Sequence, residues 1–364
     1  MGRTGGDPAP TYAERQFRVP SKATIRRPPI ATAKTDSMKD LYRRLKAVGY
    51  ERKFVRECVL PDWWSDDLAA VPANRALAEL AIARHFGFSS ADLRDPKRPL
   101  ILPRFDNTRL KRSARVTVQQ VAGTVVVARR VAELVAECTT DLPAFDGPAL
   151  AAAARATMLR NHTYVNLESL LTYCWSHGIA VVRLARTPAS CKMIAGLATF
   201  CGNRPVIVLG SGHDSPPWIA FHLAHELGHI MLEHVRDGGD LLVDQNLDRT
   251  GDGRLERNAD SYACEVLSGE SSPGFEPRYG LTGAKLARAA LAYGESRGIS
   301  PGTVVLIYGR SARRFPVVPG ALRYLGQDAG AHELITGALR ELLPLGDLPE
   351  TTQRFLSGCA GLTD

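Results

Sequence analysis

No stretch of this 364-residue chain approaches the roughly 20 consecutive apolar residues that a membrane-spanning helix needs. Its first residues, Met1-Gly2-Arg3-Thr4-Gly5-Gly6-Asp7, contain no apolar leader, and Gly6 stands where a myristoylation signal would place Ser or Thr. Cysteine is scarce and scattered: seven residues, at 58, 138, 174, 191, 201, 264 and 359, with no CxxC pair. An odd set of this kind argues against a disulfide framework and for reduced thiols. There is also no periodic glycine and no sustained heptad, which sets aside collagen-like and coiled-coil chains. These absences lead to the expectation of a soluble cytoplasmic protein with no membrane partner.

The length suits about two domains and is ample for a core. The net charge of +8 is unevenly placed: residues 1–130 carry 26 basic and 13 acidic side chains, and residues 131–364 carry 20 and 25. A basic front on an acidic body can be a solvated surface, or it can meet a polyanion such as nucleic acid. Residues 1–37, rich in Pro, Arg, Thr and Gly, read as a disordered basic tail, and Met38 opens the first patterned segment and so is a candidate start. Leu41, Leu45 and Val48 then recur at helical spacing up to Gly49. Pro72 opens a second helix on Leu77, Leu80 and Ala81, Gly87 breaks it, and Ser89 or Ser90 caps a short third. Helix, glycine turn and helix on a basic background outline a helix-turn-helix.

Residues 96–120, with Pro96, Pro99 and Pro103, read as a connector. A helix is expected over 121–138, then others near 148–160 and 166–177, the last stopped by Gly178. Strands follow at 179–184, 193–201 and 205–210. Helix pairs around a small sheet give the fold class α+β.

The chemistry lies in the next segment. Ser215 is a candidate N-cap, Pro216 and Pro217 fit a first turn, and a largely apolar helix then contains His225-Glu226-x-x-His229. Residues four apart share a helix face, so both imidazoles can reach one tetrahedral ion. Glu226, rotated by about 100° from His225, is placed instead to act on a water as general base. Gly228 costs roughly 1 kcal/mol in a helix interior, a cost that makes sense if another backbone passes close by. Leu232 and Val235 occupy the positions where a metzincin needs Gly and His, which excludes that class. His234 is turned off the ligand face and reads as a hydrogen-bonded or exposed histidine.

An amphipathic helix follows, with Ala259, Tyr262, Ala263, Val266 and Leu267 inward. Its Glu256 can supply a carboxylate ligand, and Asp260, one turn on, can hydrogen-bond a ligand imidazole; a solvated acidic face is the plain alternative. The acidic stretch 237–252 hints at a calcium loop, but Ala259 stands where the bidentate Glu should be, so it reads as a mobile surface loop. Cys191, Cys201 and Cys264 form no ligand set and read as small buried hydrophobes. Two His and one Glu suit Zn²⁺ and tolerate Mn²⁺.

The run Phe221-His222-Leu223-Ala224-His225-Glu226-Leu227-Gly228-His229-x-x-Leu232-x-His234, followed by Glu256-x-x-Ala259-Asp260-x-Tyr262-Ala263, resembles the ImmA/IrrE family of metallopeptidases. Asn166–Leu171 with Gly178-Ile179-Ala180-Val181, and Gly298–Val305, are similar to its flanking segments, so the likeness covers roughly residues 148–310. The resemblance implies a zincin-like domain with His225, His229 and Glu256 as ligands, Glu226 as catalytic base and Asp260 in support. It implies a metal-dependent endopeptidase whose substrate is a helix-turn-helix repressor and whose action switches on stress-response or mobile-element genes. Asn258 departs from the family, many members of which carry an acid there, and no residue matches an oxyanion-stabilising side chain. Some members bear an Xre-type DNA-binding module ahead of the peptidase. The organisation expected is therefore a tail over 1–37, a basic helical module over 38–130 that could contact DNA, a metallopeptidase domain over 145–310 and a C-terminal extension over 311–364. The alternative is a DNA-binding regulator whose peptidase-like domain serves as a sensor or docking module.

Overall fold

The computed structural model describes residues 38–103, 108–110, 117–235, 241–244 and 253–362, with only the backbone of 108–110, 118 and 241–244. The expected tail over 1–37 and the acidic residues 237–240 and 245–252 lie outside the described residues. The fold is α+β, and no described helix is long and apolar enough to cross a membrane.

The first helices are α1 (Met38–Ala47), α2 (Arg52–Cys58), α3 (Pro72–Phe86) and α4 (Ser90–Arg94). The Ser89 hydroxyl accepts from the Ala91 and Asp92 N–H groups and caps α4 as expected. Helix α3 is where Pro72 placed it, but its inward face differs from expectation. Leu77 and Leu80 are 56% and 59% exposed, whereas Ala78, Ala81, Ile82, His85 and Phe86 are buried. Phe86 stacks on Tyr50 with centroids 3.8 Å apart, and that aromatic contact outweighs exposure of two leucines. The expected connector contains a short strand, β1 (Thr108–Leu110), before α5 (Val118–Cys138).

Next come α6 (Ala151–Met158), α7 (Leu167–Ser176), β2 (Ala180–Arg183), β3 (Gly196–Cys201), β4 (Arg204–Leu209) and α8 (Pro216–Met231). Gly178 turns α7 into β2 with φ 74°; a Cβ there would fall 2.5 Å from the Pro143 carbonyl oxygen. Ser215 precedes α8, but its hydroxyl donates to the Gln327 carbonyl (2.7 Å) and does not cap the helix. The stretch expected as a mobile acidic loop contributes strand β5 (Leu241–Asp244). The chain then runs through α9 (Arg254–Ser268), α10 (Gly283–Glu295), α11 (Pro301–Ser311), α12 (Val318–Tyr324), α13 (Ala331–Leu342) and α14 (Glu350–Ala360).

Among the described residues the sheet has five strands in the order β1-β5-β3-β4-β2. Strand β3 is antiparallel to both of its neighbours, and the other pairings are parallel. The strand period of two separates its faces. Ala180, Val182, Leu197, Val206 and Val208 join one apolar cluster, while Val181, Ala198, Ile207 and Leu209 join another. The first cluster is completed by residues of α1–α5 and α14, the second by α6–α9, and α13 contributes Leu339 to the first and Ala331 and Ile335 to the second. The helices over 38–130, expected as a separate module, and α14 of the expected C-terminal extension thus share a layer on one face of the sheet, while α12 packs with α10 and α11. Burying Val206, Ile207, Val208 and Leu209 at about 1.5–3 kcal/mol each pins the register of β4 on both faces.

Candidate metal centre

Helix α8 lies against the second face of the sheet, and every residue from Ile219 to Met231 is buried. The i, i+4 spacing brings His225 Nε2 and His229 Nε2 to 3.1 Å, with both rings 0% exposed. Helix α9 crosses α8 closely and adds Glu256, whose Oε2 is 3.2 Å from His225 Nε2 and Oε1 3.6 Å from His229 Nε2. One ligand atom from each of the three residues lies within 4.8 Å of the others, so the group could hold a metal ion. Donors bound tetrahedrally at 2.0–2.1 Å stand about 3.3 Å apart, and the observed spacings bracket that value. The donor set, two neutral imidazoles and a carboxylate, fits zinc and accommodates manganese.

Gly228 explains the close crossing. A Cβ on it would meet Ala259 Cα and O, and Tyr262 Cβ, all at 3.2 Å. The backbone that passes Gly228 is therefore that of α9, which carries Glu256 and Asp260. Tyr262 fixes α9 further by donating its hydroxyl to the Ala149 carbonyl (3.1 Å).

Each histidine is held through its second ring nitrogen. His225 Nδ1 lies 2.9 Å from Asp260 Oδ1 in an ion-pair contact, and Asp260 Oδ2 accepts from Arg310 Nη2 (2.6 Å). Burial pushes the Asp260 carboxyl up, but His225 and Arg310 outweigh it and hold the carboxyl well below the usual carboxylate range. Arg310, on α11, also stands 5.3 Å over the Phe221 ring. His229 Nδ1 is 2.9 Å from His234 Nδ1, so His234, expected to be hydrogen-bonded or exposed, touches the site. These contacts direct the Nε2 lone pairs towards Glu256.

Glu226 is 1% exposed, and its carboxylate lies against Gly196 of β3. A Cβ on Gly196 would lie 2.2 Å from its Oε1 and 2.7 Å from its Cδ, so any larger residue there must displace the carboxylate or the strand. The structure thus brings His225, His229, Glu256 and Asp260 together and sets Glu226 beside them against the sheet. Asn258 is exposed on α9. Cys191, Cys201 and Cys264, expected as buried, are only partly so.

Sequence reasoning missed Gly196 and Arg310. A glycine inside a predicted strand is a signal for close approach by another group, and it was available at Gly196. Arg310 offered none, because only the fold brings α11 against α9. Protein-family models, curated proteins and solved structures gave no match to this chain.

Proposed function

We propose that this chain is a metal-dependent endopeptidase of the zincin-like, ImmA/IrrE kind, with zinc, or manganese in its place, held by His225, His229 and Glu256. The observation that carries the reading is the conjunction of that trio with a separate buried carboxylate, Glu226, one residue along the same helix. When bound, the metal supplies a Lewis acid that polarises a peptide carbonyl and acidifies the attacking water. Glu226 takes the proton of that water and passes it to the leaving amine. Asp260 and His234 keep the imidazoles in the tautomer that turns Nε2 inward, and Arg310 keeps Asp260 ionised. The buried walls of α8 and β3 exclude bulk solvent around Glu226.

The substrate class follows from the family resemblance: a DNA-binding repressor of the helix-turn-helix type, in the cytoplasm. Direct DNA binding by the front of the chain has less support. Residues 38–103 hold twelve basic and nine acidic side chains, and Arg52 and Arg56 pair with Asp66 while Arg75 and Arg94 pair with Glu79. Helix α4, the candidate recognition helix, has five residues, and its Asp92 and Leu93 carbonyls accept from the Arg44 guanidinium.

Metal content by plasma mass spectrometry tests the site, with about one equivalent expected in the wild type and loss in His229→Ala. Hydrolysis of a proteome-derived peptide library tests the activity. Glu226→Gln should keep the metal and lose hydrolysis; a Glu226→Gln chain that still cleaves would sink the assignment.

A further inference from the structure

Strand β3 is the strand that passes the Glu226 carboxylate, at Gly196. One of its edges is taken by β4 and the other by β5. Strand β5 runs antiparallel to β3, with Gly196 opposite Asp244, Leu197 opposite Val243, Ala198 opposite Leu242 and Thr199 opposite Leu241. An extended peptide that pairs with β3 beside Glu226 needs that second edge, and one edge holds one backbone.

The backbone that holds it is short. Strand β5 has four residues, and beyond it, among the described residues, the three-residue β1 pairs with β5 alone. The stretch 237–252 that contains it carries five aspartates and three glycines, Gly238, Gly239 and Gly251, a composition poor in strand formers outside Leu241–Val243. It also joins the helix of His225 and His229 directly to the helix of Glu256. From this placement we infer that β5 is a built-in occupant of the substrate strand position: Leu241–Asp244 pairs with β3 where a substrate backbone must pair, and an extended protein segment gains the site by displacing it. The inference rests on the endopeptidase reading and adds to it a gate on substrate entry.

The test is one of binding, so that it does not depend on turnover. The probe is a fluorescein-labelled peptide duplicating residues 239–246, followed by anisotropy against the full zinc-loaded chain carrying Glu226→Gln. A second chain adds Leu242→Pro and Val243→Pro; because β5 is paired on both edges, the two prolines remove an N–H from each ladder. The opened chain is expected to bind the probe at least ten-fold more tightly than its parent. Equal affinity in the two, or no binding by an opened chain whose circular dichroism and zinc content match the parent, overturns the inference. Should the prolines unfold the chain, Ala198→Cys with Leu242→Cys tests the same pairing. Oxidation should cross-link the facing positions and weaken probe binding at least ten-fold, with recovery on reduction; a cross-link that leaves binding unchanged overturns the inference. The endopeptidase reading fails separately, if zinc-loaded chains with Glu226 intact, opened or not, hydrolyse no peptide.

Discussion

Gly196 and Glu226 are in such contact that a single methyl group on the strand would collide with the carboxylate, the added Cβ falling 2.2 Å from Oε1. The contact joins the sheet to helix α8 at the proposed general base. Gly196→Ala must move either the carboxylate or the strand, and displacements of about 1 Å at a reacting group cost on the order of 100-fold. The expected result is a drop of that size in kcat with zinc content unchanged, read from peptide hydrolysis beside plasma mass spectrometry.

Gly228 faces a gentler constraint. An alanine there gains about 1 kcal/mol of helix propensity, whereas overpacking costs typically 1–3 kcal/mol. The Cβ would press on the Ala259 backbone at 3.2 Å, which yields only by shifting α9. Overpacking should win: Gly228→Ala is expected to lower the unfolding free energy by up to about 2 kcal/mol and to speed zinc loss to a chelator. Urea titration and a colorimetric chelator assay measure the two effects.

In the proposed centre, Asp260 and Arg310 bear on the metal through His225. Partners of this kind are worth about 10–100-fold in metal affinity. Asp260→Asn and Arg310→Ala should each weaken zinc by that factor, and the double variant should fall short of the product, since both act through one imidazole. Competition with a fluorescent zinc chelator gives the three affinities.

His85 predicts the acid response. It is 1% exposed and stacked on Phe355 at 4.2 Å; burial, then the charges of Arg130 and Arg84, pushes its pKa down to about 3. The fold keeps the ring neutral while the unfolded chain takes up a proton below about 6.5. Stability therefore falls as pH drops from about 6.5 towards 3, by roughly 2 kcal/mol at pH 5. In His85→Phe this loss should be absent; parallel urea midpoints for the two chains between pH 7 and 5 would place the proton elsewhere.

What could be read in the sequence is what local geometry settles. His225 and His229 meet because a helix puts i and i+4 on one face, and Ser89 caps α4 because its hydroxyl lies within reach of the next turn. The buried side of α9 followed from its apolar period. The buried side of α3 did not, because apolar residues line both of its sides and only Tyr50 and Phe355, distant in the chain, select between them. Arg310 reached Asp260, and β5 reached β3, through contacts between distant segments that leave no periodic trace. The packing of the helices over 38–130 on the sheet left no periodic trace for the same reason, since the strands that complete their apolar cluster lie far along the chain.

That layer has a consequence for synthesis. The cluster on the first face of the sheet needs Phe355, Leu356, Cys359, Ala360 and Leu362 as well as Leu41, Leu45 and Ile82, and the Cys359 carbonyl accepts from the Ala185 and Arg186 N–H groups at the end of β2. A growing chain cannot close this side until residues near 360 have left the ribosome, more than 300 residues after Leu41 emerged. For that interval the strands and the early helices hold apolar surface open to water and to chaperones. Truncation before α14 should leave the nascent protein in that state permanently.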